Sequence, residues 1–150
     1  MIYQMIRVSY AAVQEEFERS LIGRRCISVE KHPPNSWSFG FEGRTGPYIS
    51  CPWRIVVNGG IDLGHRDHEQ QFGLQAPLDG QQKALALLSS KIVRVKIHES
   101  TADLTIDFEN GASLEVFNSS GGYEGWICSN AEGLEVIGMG GGGLATVQRS

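Results

Sequence analysis

Two segments of the chain repeat one another. Leu21-Ile22-Gly23-Arg24-Arg25-Cys26-Ile27-Ser28-Val29-Glu30 matches Leu87-Leu88-Ser89-Ser90-Lys91-Ile92-Val93-Arg94-Val95-Lys96 in its apolar pair, small residue, basic residue and apolar alternation. His32 and His98 keep the same offset. After a one-residue shift, Trp37, Phe39 and Phe41 alternate as Leu104, Ile106 and Phe108 do. A third strand follows in each copy, over 48–57 and 112–117. A helix-like stretch precedes each: Ala11 to Leu21, with Val13, Phe17 and Leu21 at spacing four, and Asp79 to Leu88, with Asp79 as N-cap. The expected fold is therefore α+β and β-rich, a duplicated helix–strand–strand–strand unit forming antiparallel sheets around one core.

Residues 1–150 read as a single domain, with pseudo-repeats at about 11–57 and 79–128. At 150 residues, 41% hydrophobic and 20% charged, the chain has material for a proper core and is not of disordered composition. A glycine-rich polar loop, 59–78, links the copies, with a short strand expected at 71–74. Leu134 to Ile137 reads as a last strand. The glycine run beginning at Gly140 predicts a mobile tail over 138–150; without a following Lys-Ser/Thr it is no phosphate loop.

Register sharpens the second unit. A two-residue Asn-Gly turn after Phe108 would mix buried and exposed faces, whereas a three-residue loop, Glu109-Asn110-Gly111, keeps Phe108, Leu114 and Val116 in phase. Val93, Val95 and Ile97 are expected to be buried, and Arg94 to face Asp107. Facing opposite charges contribute ~0.2–1 kcal/mol. Glu109 and Glu115 are left without an obvious partner.

The net charge of −4 is uneven: residues 21–60 carry five basic and two acidic side chains, residues 61–150 six and twelve. No basic stripe points to nucleic acid, and no apolar run reaches the roughly 20 residues of a membrane helix. Three scattered cysteines, Cys26, Cys51 and Cys128, none in a Cys-x-x-Cys pair, read as reduced thiols in a cytoplasmic protein. The common catalytic and nucleotide motifs are absent. Asp62 to Glu69 is dense in His and acids, so His65 and His68, with Asp67, form a candidate metal or acid–base site. Cys51-Pro52-Trp53-Arg54 admits a thiol reading, although a free Cys is mostly a small buried hydrophobe. Trp53 and Trp126 are expected to anchor the core.

The run from Leu104 through Glu109-Asn110-Gly111 and Leu114-Glu115-Val116 to Tyr123-Glu124-Gly125-Trp126, with Trp53-Arg54-Ile55-Val56, resembles the closing pattern of a family of small bacterial proteins of unknown function. In size and style the chain is similar to the immunity proteins encoded beside bacterial polymorphic toxins. That resemblance implies a binding role, with no functional residue carried over. Three readings remain open. The first is a non-catalytic protein-binding domain, an immunity-type inhibitor without a cofactor, whose Asp107, Glu109, Glu115 and Glu124 meet a basic toxin. The second is a metal-binding or acid–base domain on the His65/His68 loop. The third is a self-associating structural protein, such as a homodimer that pairs its sheet edges.

Overall fold

The structure, a computed structural model, describes residues 5–148. Strand β1 (Met5–Val8) leads into helix α1 (Tyr10–Leu21), where the Ser9 side chain accepts the Ala12 N–H at 3.2 Å. Val13, Phe17 and Leu21 fall on one stripe of α1 and are buried. A meander follows: β2 (Cys26–His32), β3 (Ser36–Phe41) and β4 (Gly46–Ile49). The hairpin β5 (Trp53–Val57) and β6 (Gly60–Gly64) comes next. Helix α2 (Gly80–Leu87) starts at Asp79, which accepts the Gln82 N–H at 3.0 Å, and a second meander follows: β7 (Ile92–Ile97), β8 (Leu104–Phe108) and β9 (Ala112–Val116). The chain closes with β10 (Trp126–Ser129), β11 (Leu134–Gly138), a 3-10 turn at Gly140–Gly142 and β12 (Leu144–Gln148).

Two antiparallel sheets result, with strand orders β1-β12-β11-β10-β4-β3-β2 and β6-β5-β9-β8-β7. Each hairpin joins the sheet of the other meander: β5–β6 pairs with β9, and β10–β11 pairs with β4. The chain therefore crosses between sheets at residues 50–52 and again at 117–125. The inner faces share one core with both helices. Trp37 and Phe39 of one sheet meet Trp53 of the other edge-on at 5.0 and 5.1 Å, and Phe41 meets Phe108 at 6.3 Å. Trp53 and Trp126 are each 1% exposed.

The loop 109–111 has the expected three residues, with Gly111 at φ +91 and its N–H donating to Phe108 O at 3.1 Å. Four expectations are corrected. Val93 is exposed, because β7 bulges between Ile92 and Arg94; Ile27 is exposed at the matching bulge of β2. The strand expected at 48–57 breaks into β4 and β5 around Pro52, which has no N–H to give a ladder. In the linking loop the strand is β6, at 60–64, while 71–74 is a turn closed by Leu74 N–H donating to Gln71 O at 2.7 Å.

The fourth correction concerns the tail. Residues 144–148, expected to be mobile, form β12, paired on both sides and burying Leu144, Ala145 and Val147. The glycines ahead of it allow close approach. Gly142 has φ +102, and a Cβ there would lie 1.9 Å from Ser100 O. The Tyr10 hydroxyl donates to Gly142 O.

Candidate binding groove

The two chain crossings are bonded to each other. Ser50 N–H donates to Gly125 O at 2.8 Å, and Phe117 N–H to Pro52 O at 2.9 Å. They pack so closely that a Cβ on Gly125 would lie 2.1 Å from Asn118 Oδ1 and 3.2 Å from Cys51 Sγ. Asn118 is itself fixed, its amide donating to Thr101 O and Met139 O at 2.9 Å each. Two open clefts flank this seam and meet at Asn35, Ser50, Cys51 and Pro52. The first, about 570 Å³, is lined further by Lys31, Trp37, His65, Arg66, His68 and Gln70. The second, about 1000 Å³, runs along Ser119, Ser120, Tyr123 and Glu124.

The loop supplying His65 to Gln70 is held in shape by backbone contacts. His65 N–H donates to Trp53 O at 3.0 Å, and Gln70 N–H to Asp67 O at 3.1 Å. Asp67 Oδ2 accepts the Gly64 N–H at 2.7 Å, a local turn of the kind short acidic side chains favour. His68, 12% exposed, packs edge-on against Trp37 at 5.7 Å. Its Nδ1 accepts the Gly80 N–H at 3.0 Å, which assigns the neutral ring's proton to Nε2. Nε2 stands 3.3 Å from Glu69 Oε1.

His65, His68 and Asp67, the candidate metal or acid–base residues, lie in this one loop. Among the described residues no three His, Cys, Asp or Glu side chains gather closely enough to hold a metal ion. The reason is visible in the loop: Asp67 and one ring nitrogen of His68 are committed to backbone N–H groups. Cys51 is half-buried, and its thiol is pushed up to about 12, first by burial and then by the charge of Asp103. Burial likewise raises Cys26 and Cys128 to about 12. All three are free thiols that stay protonated at neutral pH, whereas a nucleophilic cysteine needs a thiolate.

The four carboxylates singled out in the sequence do not share one setting. Asp107 receives Arg94 Nε at 2.9 Å, as register predicts, and also the Ser113 hydroxyl. Glu115, expected to lack a partner, receives Arg54 Nε at 2.6 Å, because β5 pairs with β9 and brings Arg54 opposite it. The Arg54 guanidinium also lies 5.1 Å from the Phe117 ring centre. Glu109 is exposed at the hairpin tip, and Glu124 is exposed on the second crossing, lining the larger cleft.

Sequence reasoning missed Lys31, Asn35 and Arg66. Lys31 points outward from β2 beyond buried Val29, and Arg66 sits between two histidines. The basic excess of residues 21–60 was the available signal for Lys31, and the Asp62 to Glu69 run for Arg66. Among the described residues, neither Lys31 nor Arg66 has a carboxylate within 4 Å.

The profile of a family of unknown function, DUF6188, matches residues 48–148. The chain belongs to the DUF6188 family. No curated protein and no solved structure matches it. The DUF6188 match begins in β4 and ends in β12, so it takes in both crossings and the His65–Gln70 loop. Lys31, Asn35 and Trp37, which complete the smaller cleft, precede the matched DUF6188 segment.

Proposed function

We propose that this DUF6188 chain is a non-catalytic protein-binding domain of the immunity-inhibitor kind, and that its binding surface is the groove along the two chain crossings. One observation carries the reading: Lys31 and Arg66 stand in an open cleft with no carboxylate of the described residues within 4 Å, in a chain whose net charge is −4. Arg54 and Arg94 meet carboxylates across the strands of the five-stranded sheet, whereas Lys31 and Arg66 share one open cleft. With no carboxylate of the described residues beside them at the rim of a concave site, they are available to a partner. Protonated Cys51 and the committed ring of His68 favour binding over thiol or metal chemistry. Three free thiols suit a reducing, cytoplasmic setting.

We also infer that the two helix–meander halves descend from one duplicated unit. Four correspondences support this. β2 and β7 bulge at the same step, after Cys26 and after Ile92. His32 Nε2 lies 2.9 Å from Ser38 Oγ, and His98 Nε2 lies 3.0 Å from Thr105 Oγ1. Glu42 N–H donates to Arg25 O at 3.0 Å, and Glu109 N–H to Lys91 O at 2.8 Å. The buried helix positions correspond as Val13, Phe17 and Leu21 with Gly80, Ala84 and Leu88, one residue later than the sequence match pairs them.

Affinity capture from the native host, with mass spectrometry of the eluate, tests the binding reading. A protein retained in stoichiometric amount, and released when the groove is charge-reversed, is expected. Retention of nothing above control, or only of a second copy of the chain, would overturn it.

A further inference from the structure

Resting on the binding reading above, we infer that the smaller cleft recognises carboxylates, and that its occupant is an acidic segment of a protein partner. The cleft offers hydrogen-bond donors and cations and no acid among its lining residues: the Lys31 ammonium, the Arg66 guanidinium, His65, His68 and the amides of Asn35 and Gln70. A carboxylate accepts hydrogen bonds only, so such a lining complements it in charge and in hydrogen-bonding sense. The chain supplies its own pointer to that chemistry. Glu69, 77% exposed, places Oε1 3.3 Å from Nε2 of His68, the cleft residue whose other ring nitrogen is locked by Gly80 N–H. An incoming carboxylate would take over that donor from Glu69 and gain Lys31 and Arg66 in addition. The cleft is also open at Asn35, Ser50, Cys51 and Pro52 into the larger one, so a bound segment has room to continue past its acidic residues.

Titration of the full chain with a short peptide of alternating Asp and Glu, read by calorimetry and by amide and indole shifts in NMR, tests this. The controls are the Asn/Gln isostere and inorganic phosphate. The acidic peptide is expected to bind and to shift His65, His68 and the Trp37 indole. Affinity should fall roughly tenfold or more in the Lys31→Glu/Arg66→Glu variant, and steeply at about 0.5 M salt. The equally charge-reversed Arg25→Glu/Lys91→Glu variant, altered at exposed positions outside the cleft, should lose no more than about twofold. Equal binding of the isostere, equal losses in the two variants, or shifts confined to other surfaces would overturn the inference. Saturable phosphate binding without peptide binding would overturn it too, since that marks a small-anion site. A captured partner that binds only along the larger cleft sinks this inference and leaves the binding reading standing; peptide binding with no protein ever captured overturns the binding reading and the protein occupant with it, and leaves only the carboxylate preference of the cleft.

Discussion

The outer face of the five-stranded sheet and the seam where the chain changes sheets treat charge in opposite ways. On the sheet face, cross-strand register sets Arg94 against Asp107 and Arg54 against Glu115, so these two pairs are satisfied within the molecule, while Lys96 faces Thr105. At the seam the backbone and small side chains are tightly fitted, while the cations at its rim, Lys31 and Arg66, have no carboxylate of the described residues within 4 Å. A regular ladder can pair charges on its own face wherever register sets opposite signs across from each other. Loops that converge from distant parts of the chain have no such guarantee. Unsatisfied charge there marks the surface to examine for a partner.

The comparison can be broken at several points. The largest effect is expected from pH. The folded thiols of Cys26, Cys51 and Cys128 lie at about 12, above the ordinary 9.0, so the stability they confer is fully present below pH 9 and lost as pH rises toward 12. Urea midpoints should fall steeply over that window, and less so in Cys51→Ala. Next comes Gly125→Ala, whose Cβ meets the fixed Asn118 amide at the seam; a loss of about 2 kcal/mol is expected in denaturant unfolding. On the sheet face, Arg54→Ala should cost no more than about 1 kcal/mol, because its pair with Glu115 is partly solvated. Arg94→Ala, with a side chain 77% exposed, should change stability by less than about 0.5 kcal/mol. Neither should alter binding of a captured partner. Large losses from the two arginines and none from Gly125 would reverse the comparison.

Much of the sheet face was legible in the sequence. Period-two alternation placed Leu104, Ile106 and Phe108 inward, and phase alone required three residues in the loop before Ala112. The partner of Glu115 was hidden, because which strand flanks β9 is decided by the exchange of hairpins between sheets and not by local pattern. Val93 reads as core until the bulge turns it outward. The glycines before β12 resemble a flexible tail, whereas close backbone approach is what uses them. The cleft was least legible. It assembles Lys31 from β2, Ser50 to Pro52 from a crossing and Arg66 from a loop, and no spacing rule joins residues brought together only by the tertiary fold.

Hydrogen exchange of the chain with its captured partner bound tests most directly whether the seam is the working surface. Amides of 31–37, 50–52, 65–70 and 119–125 should gain protection, with little change at Asp107, Glu109 and Glu115. Protection centred on the β8–β9 hairpin, with the crossings unaffected, would contradict the account and restore the acidic sheet face as the site.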